Sequence, residues 1–575
     1  MKRAHVLAVC LCLFVTSWLE AAETSAVTQE TVMVPMRDGV LLATDVYRDP
    51  SLKQAPVLLM RTPYNKDRVK KVAERFADAG YVAVVQDCRG KFQSEGVFYP
   101  YDHEGRDGYD AIEWLGKQPW CNGRIGMWGA SYVGATQWLA ANEQPPGLVT
   151  IAPTATFSSF YRNLYLGGAM RLSLITRWAA GNSQKPEGVE VTDDWRRTLL
   201  HLPMSEIDDE IGWSIPWLEG MLTHPEHDGY WKPTELTAEI VDLKLPMQHI
   251  VGYYDFFSRE TVGNFSRMQG WAPDMATRER QQLILGPWDH GSIGRAKVGD
   301  VDFGENAVID KDGENLKWFE RYLKTDAANS PAVVVPVRYF SMGDNVWQEA
   351  QTWPPQGFTP TAFYLHSEGS ANTGAGNGRL DYCPPVTAEP ADSFKADPAD
   401  PAPACPVTEK RPLIAATWAP ADQRPIEKRN DVLVYTSEPY TEPLTFAGNA
   451  QAKLYVSADT PDADWVVKLI DVHPDGFAQN LAVGILRGRF RDSESQPTPL
   501  EPGKEYEITV DLGPIAAQIG AGHRLRVDIC GAYFPLFDRN PNTGEGPFGR
   551  GTKIATEKVY HDAVRPSRII LPCRY

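Results

Sequence analysis

Between Thr31 and Pro153, short apolar runs alternate with helical patterns, and this alternation leaves few architectures open to the chain. The run PVLLM (56–60) is followed by a helix-like stretch at 68–79 that Gly80 stops. YVAVVQD (81–87) is followed by an amphipathic stretch at 107–116, and RIGMWG (124–129) by an apolar helix. Strands that are apolar throughout and separated by helices bury both faces in a largely parallel sheet covered by helices on either side. Ligands on such sheets sit at the carboxyl ends of the strands. The pattern breaks between Thr156 and Leu245, where segments rich in Trp and Tyr, including MRLSLITRWAA and IPWLEGML, read as helices. It resumes with MQHIVGYYD (247–255), QLILGPWDH (282–290) and a helical stretch near 315–324. The expected first domain is therefore discontinuous, 27–155 and 246–326, with a helical cap inserted at 156–245.

A single hydrophobic core stops growing near ~250–300 residues, so a chain of 575 residues must divide further. After Asp326 the pattern changes to short alternating strands such as VVVPVRYF, AKLYVSA, WVVKLIDV and RLRVDIC, separated by Pro, Gly, Asn and Asp turn signals. Residues 327–575 are thus expected to form an all-β sandwich. Within it, 368–406 is rich in Ala, Pro, Gly and Asp and reads as a surface loop, clipped by a Cys383–Cys405 bridge.

The formal charge of −17 comes from 74 acidic and 57 basic residues without a clustered Lys/Arg stripe, which argues against nucleic acid as a partner. Residues 1–26 start with Lys2 and Arg3, run apolar from Val6 to Trp18 and end in small residues, the order of a secretory signal. A secreted or periplasmic protein is expected, with no integral membrane segment once the signal is removed. Six cysteines remain in the mature chain, an even number suited to an oxidising compartment. Cys88 and Cys121 are read either as a bridge across adjacent elements of one sheet or as two separate buried thiols. No Cys-x-x-Cys or His-Glu-x-x-His spacing suggests a metal site.

The segment Arg124 to Gly134 is a strand that runs through Gly129-Ala130-Ser131 into an apolar helix, the form of a nucleophile elbow. Small residues flank such a serine because the turn is sharp and side chains there would meet the neighbouring strand and helix. A serine hydroxyl needs an imidazole to take its proton and a carboxylate to orient that imidazole. Asp255 follows the apolar strand HIVGYY and His290 follows LILGPW, so both should project from strand ends towards Ser131. The order Ser, Asp, His is that of α/β-hydrolases. The backbone N–H of Tyr132, at the helix start, is an oxyanion donor by geometry. Tyr64, on the loop of MRTPYNK, is a second candidate or a tyrosine packed at a proline turn.

The segments RTPYNK, QDCRGKFQSEGVF, DGYDAIEWLGKQPWCNGRIGMWGASYVGAT, GYYDFF, LGPWDHG, DADWVVKLIDVHPDG, GILRGRF, AGHRLRV and FDRNPNTGE together resemble the cocaine-esterase-like acyl hydrolases. This group, within the X-Pro dipeptidyl-peptidase superfamily, includes glutaryl-cephalosporanic-acid acylases and α-amino-acid ester hydrolases. The resemblance implies an α/β-hydrolase domain, a helical cap and a jelly-roll-like C-terminal domain. Its pattern Gly-x-Ser-Tyr-x-Gly accounts for a second glycine displaced to Gly134. It also implies the triad Ser131, Asp255 and His290, with Tyr64 as second oxyanion donor. No cofactor is expected. Amino-acid ester hydrolases carry carboxylates soon after the triad acid, where this chain has Phe257 and Ser258. An apolar residue at 257 implies a neutral aromatic or aliphatic acyl group, and Phe157, Tyr161 and Trp178 are further lining candidates. The expected partner is a small ester or amide. An X-Pro dipeptidyl-peptidase, an α-amino-acid ester hydrolase and a non-catalytic carbohydrate-binding surface protein are the alternatives.

Overall fold

The computed structural model describes residues 27–325, 333, 335–409, 411 and 419–574. The expected signal at 1–26 lies outside them. The first half is built on a ten-stranded sheet. Its first six strands are β1 (Thr28–Pro35), β2 (Leu41–Arg48), β3 (Ala55–Thr62), β4 (Val82–Asp87), β5 (Cys121–Ala130) and β6 (Leu148–Thr154). They stand in the order β1-β2-β4-β3-β5-β6, followed by Met247–Tyr254, Gln281–Asp289, Val337–Ser341 and Val346–Ala350. From β4 through Val337–Ser341 the pairing is parallel, and the two edges are antiparallel. Every residue of β3, β4 and Met247–Tyr254 is buried, as strands covered on both faces require. Helices α1 (Lys70–Asp78), α2 (Glu104–Gly116) and α3 (Tyr132–Asn142) supply part of that cover. Helix α1 buries one stripe, Ala73, Phe76 and Ala77, whereas ten of the eleven residues of α3 are buried.

Val337–Ser341 lies in the segment assigned from sequence to the β sandwich, yet it pairs in parallel with Gln281–Asp289 and closes the first sheet. An apolar strand does not encode which sheet will take it, and here the open edge of Gln281–Asp289 does. From Thr359 onward, eleven strands form a second sheet, antiparallel except where Arg379–Asp381 meets Val432–Thr436. The segment 368–406 contributes two of them, Arg379–Asp381 and Asp392–Ala396, rather than a plain loop. Asp392 explains why so polar a stretch packs: its buried carboxylate accepts hydrogen bonds from the Ala371 N–H and from the Ser367 and Tyr435 hydroxyls, and bonds to His561.

All six described cysteines are free. Cys88 follows the carboxyl end of β4 and Cys121 opens β5, so they lie at opposite ends of parallel strands, with β3 between those strands. The alternative of two separate thiols is the one realised. Cys383 is exposed and Cys405 buried, and no bridge clips the 368–406 segment. No helix of the described residues is long and apolar enough to cross a membrane.

The segment 156–245 carries short helices, the longest being Leu172–Asn182. It is wedged against loops of the C-terminal unit: Met170 and Asp538 exchange two hydrogen bonds, the Ser173 N–H donates to the Pro535 carbonyl and the His227 N–H to that of Glu494.

Candidate active site

Ser131 joins β5 to α3 with φ 64° and ψ −129°, a conformation that costs a non-glycine residue energy and marks sharp functional turns. Its backbone N–H donates to the carbonyls of Thr154 and Ala155, and its carbonyl accepts from the N–H groups of Gly134 and Ala135 and from the Thr156 hydroxyl. The strain is thus held by bonds from the neighbouring strand end and from the first turn of the helix. The two glycines are explained by what a side chain would meet. A Cβ on Gly129 would lie 2.3 Å from Val133 Cγ1, and one on Gly134 would lie 2.6 Å from Thr156 Cβ. The second glycine stands at 134 because that is where the helix presses on Thr156; residue 133 has room for a valine.

Asp255 and His290 follow strands of the same sheet, so all three residues emerge at one edge. The Asp255 carboxylate is buried, with one oxygen 2.9 Å from His290 Nδ1 and the other accepting from the Phe257 N–H at 2.8 Å. Burial works against protonation of His290. The charge of Asp255 and the bond to it, with Asp289 beyond, outweigh burial and hold the imidazole above its ordinary 6.5. The C-terminal sheet braces this loop. The Tyr254 hydroxyl donates to the Asn480 carbonyl and accepts from Gln479, while Arg259 reaches Asp511 and the Val483 carbonyl.

The Tyr132 N–H, in the first turn of α3, has no acceptor within the helix. Its side chain is fixed: the hydroxyl donates to Glu104 at 2.8 Å and accepts from the Tyr101 N–H, and Glu104 pairs with the fully buried Arg61 at 2.6 Å. Tyr64 follows β3 at the same edge of the sheet, and its hydroxyl accepts a 3.0 Å hydrogen bond from Trp178 Nε1. Burial pushes the phenol up to about 12, against the pull of Trp178 and of the Ser131 side chain beside it.

Aromatic rings link these groups. Phe256 and Phe257 lie 4.5 and 5.2 Å from the His290 ring, and Phe157 lies 5.2 Å from Phe257 and 5.5 Å from Tyr101, which stacks on Tyr132 at 4.2 Å. Phe157, Phe257 and Trp178 are thereby brought together with the polar groups. Tyr161 is not: it stacks between Tyr165 and His227 in the cap, with its hydroxyl donating to the Pro225 carbonyl. The sequence reading missed Tyr101 and Phe256. Phe256 had a local signal, next to Asp255, whereas Tyr101 reaches the site through a turn with φ 69° that no pattern announces.

Comparisons with known proteins agree with this architecture. Residues 38–292 match the X-Pro dipeptidyl-peptidase (S15) family, and residues 334–570 match the X-Pro dipeptidyl-peptidase C-terminal non-catalytic domain. The chain is 35% identical to the cocaine esterase of Rhodococcus sp. (strain MB1 Bresler) over 577 residues, covering 94% of this chain and 97% of that protein. Among solved structures, an α-amino acid ester hydrolase superposes with a TM-score of 0.84 at 27% identity, covering 99% and 100% of the two chains. An aminopeptidase from a marine sediment Thaumarchaeota archaeon also reaches 0.84, at 26% identity, covering 96% and 97%. With an α/β-hydrolase sheet, an all-β C-terminal unit and this degree of likeness, the chain belongs to the S15 family alongside cocaine esterase, and is a serine hydrolase.

Proposed function

We propose that this chain is an exported hydrolase of esters with a neutral aromatic or aliphatic acyl group, working through an acyl-enzyme on Ser131. The observation that carries the reading is the Asp255–His290 pair at the sheet edge where Ser131 and Tyr64 also stand, within a wall of aromatic rings. Asp255 accepts the Nδ1 proton of His290, which leaves Nε2 as the base for the Ser131 hydroxyl. Attack on the ester carbonyl forms the Ser131 Oγ–C bond and moves negative charge onto the carbonyl oxygen, where the Tyr132 N–H and the Tyr64 hydroxyl donate to it. A phenol titrating near 12 keeps its proton at neutral pH. The hydrogen bond from Trp178 occupies a lone pair on the Tyr64 oxygen and turns that proton towards the oxyanion. Collapse breaks the ester C–O bond, and His290 returns the proton to the departing alcohol. Water, deprotonated by the same imidazole, then releases the acid.

The acyl preference rests on Phe257 and Ser258, which occupy the positions next to the acid where an anchor for a substrate ammonium would need carboxylates, and on Phe157, which packs on Phe257, and Trp178, which stacks on Tyr132. Export rests on the signal pattern of residues 1–26. The test compares p-nitrophenyl benzoate, p-nitrophenyl butyrate and an α-amino-acid p-nitrophenyl ester on wild type and Ser131→Ala, with fluorophosphonate labelling of both. The neutral esters should have the higher kcat/KM, and Ser131→Ala should lose labelling and several orders of magnitude in turnover while remaining folded. Preference for the amino ester would overturn the acyl assignment, and near-normal turnover in the variant would overturn the nucleophile.

A further inference from the structure

One cluster of ligand-type side chains in the C-terminal sheet has no part in the ester chemistry. Asp471 lies near the end of the strand Asp464–Val472, His473 follows it by two residues, and His523 directly precedes the strand Arg524–Cys530. These strands are antiparallel, with Val472 opposite Arg524, so the next pair outward is His473 opposite His523. Residues two apart on a strand share a face, and cross-strand partners share it too. Register alone therefore gathers one carboxylate and two imidazoles on one side of one sheet end. Their ligand atoms all lie within 4.8 Å of one another.

An ordinary carboxylate–imidazole pair explains only half of this. His523 Nδ1 sits 2.8 Å from one oxygen of Asp471 in a normal hydrogen bond. His473 Nε2 faces the other oxygen at 3.5 Å, is buried from solvent and makes no hydrogen bond. A buried polar nitrogen left without a partner costs free energy, so native structures almost always supply one. Here the missing partner would sit between the three ligand atoms. The two rings are 4.6 Å apart and only partly covered, so the outer side of the cluster remains open to water.

We propose that Asp471, His473 and His523 form a divalent transition-metal site, with zinc as the metal that the donor set favours. Two neutral imidazoles and one carboxylate are borderline donors of the kind zinc takes in sites that keep a fourth position for water, whereas calcium and magnesium demand oxygen throughout. Tetrahedral zinc with bonds near ~2.1 Å needs ligand atoms ~3.4 Å apart, a contraction that side-chain rotation supplies. Coordination replaces the Asp471–His523 hydrogen bond and satisfies His473 Nε2 in the same step. The site ties the turn at 473–477 to the turn at 520–523 and acts as a clip on the sheet end.

The test uses the tag-free full-length protein, stripped with a chelator, equilibrated with zinc sulfate and dialysed before the metal is counted. Wild type should retain about one zinc per chain and unfold at a higher temperature with zinc than without it. His473→Ala and His523→Ala should lose both the retained zinc and the thermal shift, with circular dichroism showing that they are folded. The count on wild type stands even if a variant fails to fold, and no zinc retained there overturns the proposal. Zinc retained equally by the folded double variant overturns the ligand assignment, as does a thermal shift produced by calcium chloride and not by zinc.

Discussion

Replacing Tyr64 with Phe removes one hydroxyl from the wall facing Ser131 and leaves the ring, which packs edge-on against Tyr132 with centroids 6.3 Å apart. Two donors are proposed for the oxyanion, one of them a backbone N–H that the substitution does not touch. Loss of one such donor costs about 10²–10³ in kcat, or about 2.7–4 kcal/mol of transition-state stabilisation. Because the hydroxyl bonds the tetrahedral oxygen more strongly than the ground-state carbonyl, the loss belongs in kcat, with KM within a few-fold of wild type. A second consequence is structural, since Trp178 Nε1 loses its acceptor and the variant should unfold at a slightly lower temperature. Trp178→Phe keeps the Tyr64 hydroxyl but frees its orientation, so its kcat should lie between those of wild type and Tyr64→Phe. Stopped-flow and steady-state hydrolysis of p-nitrophenyl acetate measure acylation and turnover separately. A Tyr64→Phe enzyme with kcat within about threefold of wild type, or one changed in KM alone, would refute the oxyanion role.

The proposed mechanism requires neutral His290, whose value is raised above 6.5 by Asp255, so kcat/KM should fall as pH drops through a midpoint above 6.5; a flat profile with chemistry rate-limiting would contradict this. Gly134→Ala would press a methyl against Thr156, whose hydroxyl holds the Ser131 carbonyl, and should cost about 1–3 kcal/mol of stability and reduce turnover, read by thermal unfolding and the same ester assay. In the C-terminal sheet, burial disfavours the His561 cation, but bonds to Asp392 at 2.9 Å and Glu389 at 3.1 Å raise it above its ordinary value. That contribution is complete below the unfolded value of about 6.5 and is lost as pH rises through the raised folded value. Asp392 and Glu389, held below their ordinary values despite burial by bonds from His561 and His366 among others, contribute above about pH 4 and lose it as pH falls through their folded values. The difference in Tm between wild type and His561→Gln should therefore be largest near pH 5 and shrink on the alkaline side, and a constant difference from pH 5 to 9 would refute the sign.

What could be read from sequence was what short-range physics writes there. Runs such as PVLLM and YVAVVQD announce strands buried on both faces, and the placement of Ser131, Asp255 and His290 at one edge is legible because each directly follows a strand of that parallel sheet, where such sheets put their ligands. Strand order is not written that way. Cys88 and Cys121 look adjacent in the chain of elements, and only the order β4-β3-β5 and the parallel directions show that they stand at opposite ends. Composition fails at Tyr161 for a different reason, since an aromatic ring in a helical cap buries equally well against other cap residues or in a pocket wall. The bond between Trp178 and Tyr64 joins residues 114 apart, each ordinary alone.

The loop that carries the proposed acid, Asp255, is tied to the C-terminal sheet. Asp255 is held against His290 partly by Tyr254, and Tyr254 is held by Asn480 and Gln479 of that sheet. Arg259, in the first turn of the helix after the acid, is anchored on Asp511 and the Val483 carbonyl of the same sheet. A residue displaced by even about 1 Å can cost a reaction about 10²-fold, so these distant bonds would support the proposed mechanism although they touch no substrate. The C-terminal unit places no residue in the proposed triad or oxyanion site, yet it forms one side of the frame that fixes the distance between acid and base.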